Sequence, residues 1–200
     1  MIKGVISAPR GVISGMFNIH ISFRETVLFF SEENIRVEAV SGAALGHPYD
    51  EFSGQDRVYQ LLCYPPENAV GESRISIIGE AEVVRGGRWV SEPLSVAPII
   101  VAYDTVRTVD ATWGIPVEQG KRKLRIPISF DMPIRNLKKR HFSFSYATPF
   151  QLYGSDDSYS LVIPKAQSLF TVFVEGLVEK TNGIQAEIQR TPLEVEKEVR

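Results

Sequence analysis

One strand-like phrase occurs twice in this chain at a fixed distance. It reads FNIHISFRETV from Phe17 to Val27 and LRIPISFDMPI from Leu124 to Ile134. Ile126 follows Ile19, Ile128 follows Ile21 and Phe130 follows Phe23, each by 107 positions (126 − 19, 128 − 21, 130 − 23). The echo runs on without a gap, since Ile35, Val37 and Ala39 of NIRVEAV return as Phe142, Phe144 and Tyr146 of HFSFSYA. Repetition at this spacing implies two small domains with separate cores rather than one large domain. Two hundred residues with 44% apolar content suffice for two modest cores of about 100 residues each.

Alternation dominates both halves. Phe17, Ile19, Ile21 and Phe23 point one way while Asn18, His20 and Ser22 point the other, the period of a half-buried strand. The pattern recurs at Ile35/Val37, Tyr59/Leu61/Cys63 and Ile75/Ile77, and later at Phe142/Phe144/Tyr146, Tyr159/Leu161/Ile163 and Phe170/Val172/Val174. Turn-rich stretches such as Ser41-Gly42, Pro65 to Asn68, Gly86-Gly87 and Gly154 to Asp157 separate these runs. Short strands so spaced predict an antiparallel sandwich or barrel. Helix is confined to three windows, Ser31–Asn34, Leu137–Arg140 and the charged tail Leu193–Arg200. The domain boundary is expected in Val90–Ala97, flanked by Pro93 and Pro98, which lack the backbone donor a strand uses. This gives domains 1–92 and 93–200, with Asp104–Gly120 read as an insertion in the second.

A net charge of −2 supplies no general attraction to nucleic acid or anionic membranes, and no apolar run reaches membrane-helix length. MIKGVISAPRGVISG is interrupted by Gly, Pro and Arg before a signal-peptide core could form, so synthesis in the cytoplasm is expected. Cys63 stands alone, which excludes an internal disulfide, and its strand-like setting predicts an inert buried thiol. His20, His47 and His141 have no partners at metal-ligand spacing, and no phosphate loop or dinucleotide fingerprint is present. Glu32-Glu33 and Asp156-Asp157 read as solvated turns, without calcium-loop spacing. Lys121-Arg122-Lys123 and Lys138-Lys139-Arg140-His141 flank one strand and are expected toward its opposite ends, as charged edges or as a meeting place for phosphate or an acidic neighbour.

The ordered set of strand motifs resembles bacterial immunoglobulin-like repeats of the kind strung in tandem in adhesins and biofilm proteins. SAPRGVISGMFNIHISFRETVLFF is similar to that family's opening strand and G-x-F-x-(I/V)-x-(I/V)-x-F core, NIRVEAVSG to its next strand, Val58 to Leu61 to its tyrosine-led strand, and Gly71 to Ile77 to its closing strand. The second half follows the same order from Leu124 to Gly176. Where the family's ending carries Asp and Asn that accompany calcium, this chain reads Glu80 to Gly87, so calcium is not carried over. The resemblance implies an all-β chain of two tandem immunoglobulin-like sandwiches acting through their surfaces.

The expected function is therefore a non-catalytic structural or interaction protein, a component of a large assembly such as a phage virion or contractile tail. The alternatives are a spacer or adhesive segment of a bacterial cell-surface adhesin, and a carbohydrate-binding accessory module. Partners are expected to be proteins, through self-association or neighbouring subunits, with carbohydrate as the other ligand class. No catalytic residue, cofactor, metal, membrane or specific nucleic acid is expected. Loop and strand-end aromatics are the candidate contacts: Trp113 first, then Trp89, Tyr49, Phe52 and Tyr153. Each such ring either caps its own core or meets a partner.

Overall fold

The computed structural model describes residues 1–47, 52–165 and 169–195, and the chain divides into two compact units, Met1–Val106 and Arg107–Arg200. Both are built from strands. Helix among the described residues is limited to two short 3-10 turns, Glu32–Asn34 inside one expected window and Lys139–His141 overlapping the end of another. In the third window, Leu193 to Val195 complete a strand, and 196–200 lie outside the described residues.

The first unit contains β1 (Ile2–Ser7), β2 (Phe17–Phe23), β3 (Ile35–Ser41), β4 (Phe52–Gln55), β5 (Val58–Cys63), β6 (Val70–Ile77), β7 (Glu80–Arg85), β8 (Arg88–Val96) and β9 (Ile99–Asp104). One sheet runs β4-β5-β2-β1-β8-β7 and the other β3-β6-β9. Period-two alternation decides which side chains meet between them. Ile6, Ile21 and Tyr59 stand in one register row, Ile19 faces Leu61, and Phe17 faces Cys63, all buried. Ile75, Ile77, Val101 and Tyr103 from the second sheet join the same core.

The linker expected at Val90–Ala97 is instead part of β8, which pairs antiparallel with β7 and parallel with β1. Pro93 is tolerated for a geometric reason. Leu94 N–H donates to Gly79 O at 3.0 Å, so the nitrogen one residue earlier faces the β1 side. There the ladder begins only with Ile2 opposite Leu94, so no bond is lost. The unit boundary therefore falls after Val106 rather than after residue 92.

The second unit contains β10 (Thr108–Val109), β11 (Ala111–Trp113), β12 (Val117–Glu118), β13 (Lys123–Arg135), β14 (Phe142–Phe144), β15 (Gln151–Pro164), β16 (Phe170–Lys180) and β17 (Gln185–Val195). The supposed insertion at Asp104–Gly120 is the counterpart of β1. Trp113 faces Ile128 and Ala111 faces Phe130, as Ile6 faces Ile21 and Gly4 faces Phe23, each shifted by 107 (113 − 6, 111 − 4). Val109 pairs in parallel with Ile188 as Ile2 pairs with Leu94. The hairpin β16–β17 replaces four strands of the first unit. Where β6 and β7 break at Gly79, β16 continues through a bulge at Gly176, pairing with β14 before it and with β13 beyond it.

Hydrogen bonds repeat along with the strands. Tyr59 Oη donates to Val27 O at 3.1 Å, and Tyr159 Oη donates to Ile134 O at 3.2 Å. Phe29 and Asn136, 107 apart (136 − 29), both take left-handed backbone angles with φ of 59° and 62°. Gly54 and Gly154 open equivalent hairpins, now 100 apart (154 − 54). A Cβ on either would lie 2.4 Å from Val58 O or 2.2 Å from Ser158 O, so both positions require glycine.

Candidate functional site

The candidate aromatics separate into core lids and surface residues. Trp113 is half-buried on β11, its indole Nε1–H donates to Thr191 O at 3.2 Å, and its ring lies 6.3 Å from Phe142. It roofs its own core. Phe52 does the same in the first unit, stacked on Tyr59 at 5.7 Å with 8° between the rings and also flanking Phe30. Neither is a loop residue held out to solvent. Tyr49 lies outside the described residues.

Trp89 and Tyr153 are exposed. Trp89 stands directly opposite Val84 on the β7–β8 hairpin, and both are 48% exposed on the face turned away from the core. On that outer face Val5, Ser22 and Val58 also form one row across β1, β2 and β5, with the two valines more than half exposed. Tyr153 is exposed on β15, and its hydroxyl donates to Gln151 Oε1 at 2.7 Å.

The two basic runs converge where the sequence placed them apart. A groove of about 340 Å³ is lined by Lys123, Lys139, Pro149 to Gln151 and Val162 to Pro164. Phe150 is the shared wall. Lys139 Nζ lies 5.5 Å from its ring centroid, while Lys123 stands opposite Pro164 in the β13–β15 ladder. The Phe150 ring also packs on Phe142 and Phe144, with centroids 5.8 and 5.1 Å away, which holds it in place. Alternation along one strand could not reveal this meeting, because it depends on how the β14–β15 connection returns.

Cys63 is fully buried, and burial pushes its thiol up to about 12, the inert state expected. His20 faces Gln60 on an exposed position. His47 Nδ1 lies 2.6 Å from Glu32 Oε1, a pairing that the turn reading of Glu32-Glu33 did not anticipate. His141 is buried. Its Nδ1 accepts from Lys138 N–H at 2.9 Å and its Nε2–H donates to Leu177 O at 3.0 Å, since a carbonyl can only accept. Burial holds its pKa below the usual imidazole value, with Arg140 adding to the effect. Among the described residues no three His, Cys, Asp or Glu side chains gather as a metal site needs, and no helix is long and apolar enough to cross a membrane.

The chain matches no family model and no curated protein.

Proposed function

We propose that this chain is a non-catalytic structural protein of two immunoglobulin-like sandwiches, acting as a component of a large protein assembly such as a phage virion or contractile tail. The strand order supports the fold half of this reading. β4-β5-β2-β1 against β3-β6-β9 corresponds to the immunoglobulin arrangement of four strands facing three. The observation that carries the functional half is the outer face of the six-stranded sheet. Val5, Val58, Val84 and Trp89 leave apolar surface on a regular, hydrogen-bonded sheet, where a neighbouring subunit could cover it.

Absolute mass by light scattering after gel filtration, across a wide concentration range, tests it. The expected result is a discrete oligomer or growth with concentration, reduced toward the monomer by Val84→Asp with Trp89→Asp. A strict monomer throughout would overturn self-assembly and favour a spacer segment of a surface adhesin. The exposed indole of Trp89 favours one further reading, a carbohydrate-binding module, because sugar recognition uses free aromatic faces. Saturable glycan binding lost on Trp89→Ala is its test.

A further inference from the structure

We infer that the groove of the second unit is a binding site for an acidic peptide segment of a partner protein, a Glu or Asp side chain adjacent to an apolar one. The lining of the groove carries cations and no carboxylate residue. Lys123 and Lys139 contribute two ammonium groups, and among the described residues neither has a carboxylate at salt-bridge distance. The oxygen of the Gln151 carboxamide accepts from Tyr153, and its Nε2 carries two further donor protons. The remaining lining, Pro149, Phe150, Val162, Ile163 and Pro164, is apolar. Lys121, Arg122, Lys138 and Arg140 surround it in sequence, while nearby Glu118 is taken up by Lys165.

Lining chemistry separates a carboxylate on an apolar body from inorganic phosphate. Phosphate sites are typically built from backbone N–H groups and bidentate arginine. Here two of the wall residues are prolines, which have no N–H, and the cations in the lining are lysines, which act as point charges. Size points to a short segment. At about 340 Å³ the groove lies at the lower end of the roughly 300–1,000 Å³ of ordinary ligand pockets, which suits two adjacent side chains.

The first unit supplies an internal contrast. Met16 and Glu32 stand 107 positions before Lys123 and Lys139 (123 − 16, 139 − 32), and there Glu32 is engaged by His47 across 2.6 Å. The bridge Gly46–Tyr64 brings the His47 segment beside the strand end that corresponds to Pro164. One unit thus meets its own charge at this position, and the other presents two cations outward.

The test is a titration of the full-length ¹⁵N-labelled protein, followed by amide shifts, with the dipeptide acetyl-Phe-Glu-amide, its neutral counterpart acetyl-Phe-Gln-amide, and inorganic phosphate. The glutamate peptide should move the amides of Lys123, Lys139, Phe150 and Gln151. Its affinity should exceed that of the glutamine peptide by about fivefold, as one partly solvated ion pair provides. Lys123→Gln with Lys139→Gln, both at exposed positions that leave the core intact, should weaken it by roughly tenfold. Equal binding of the two peptides, unchanged binding by the double variant, or no shifts at these residues up to about 10 mM peptide would each overturn the site. Phosphate producing the same shifts with equal or greater affinity would overturn the peptide and leave a simple anion site.

Discussion

His141 and Asn34 solve one problem with different chemistry. Asn34 Oδ1 accepts from Ser31 N–H at 2.9 Å and its Nδ2 donates to Ile78 O at 3.1 Å, as the two imidazole nitrogens do 107 positions later (141 − 34). The amide does not titrate near neutrality, but the imidazole does. A proton on Nδ1 removes the acceptor for Lys138 N–H and places a cation in a buried site beside Arg140 and Lys138. The folded pKa is lowered from 6.5, so the unfolded chain binds the proton more tightly. Stability from this group is complete above pH 6.5 and is lost as pH falls through the folded value. Thermal melts of the second unit should therefore shift downward between about pH 7 and pH 5, and His141→Asn should flatten that slope. The paired tyrosines give a second residue-level expectation. Tyr59→Phe and Tyr159→Phe each remove a buried hydroxyl that bonds a carbonyl, at Val27 or Ile134, which should cost about 1–2 kcal/mol by denaturant unfolding.

The strand positions of the two tryptophans make their substitutions diverge. Trp113 fills on β11 the place that Ile6 fills on β1, and its ring and N–H are both engaged within the second unit. Trp113→Ala should cost about 2–3 kcal/mol, the lower end for a large aromatic because the ring is only half-buried. Trp89 on β8 leans on solvent, so Trp89→Ala should change stability by no more than about 0.5 kcal/mol. Equal losses in chemical denaturation would refute this separation of lid from surface. The hairpin within β15 is a further sensitive element. Gly154→Ala introduces a Cβ at φ 112° against Ser158 O and should cost at least about 1–3 kcal/mol, as Gly54→Ala should in the first unit.

Two separate cores make independent folding the expectation for the whole chain. Ile2 to Tyr103 supply the buried side chains of one cluster and Val109 to Val195 those of the other. A fragment comprising residues 1–106 should give a β-type circular dichroism spectrum and a cooperative melt. A fragment ending at residue 92 should not, because it truncates β8 and removes β9 with Val101 and Tyr103 from the core. Failure of the 1–106 fragment to fold would overturn the division at Val106.

Residue alternation made most strands and their buried faces legible in the linear chain, because a strand's period is a local property of its backbone. Ile19, Ile21, Ile126 and Ile128 are all buried where the period places them. The repeat was equally legible where its residues kept their character. It faded where Trp113 replaced Ile6, and so the counterpart of β1 read as an insertion. Pairing between distant segments was not legible. Pro93 marks a linker by its missing donor, yet it sits in β8 because the side that donor would face carries no ladder bond there. The meeting of Lys123 with Lys139, and of Glu32 with His47, likewise follows from long-range chain return rather than from local spacing. Local pattern thus decides which faces of a strand are apolar, whereas neighbours, edges and grooves arise only when segments far apart in the chain are brought into register.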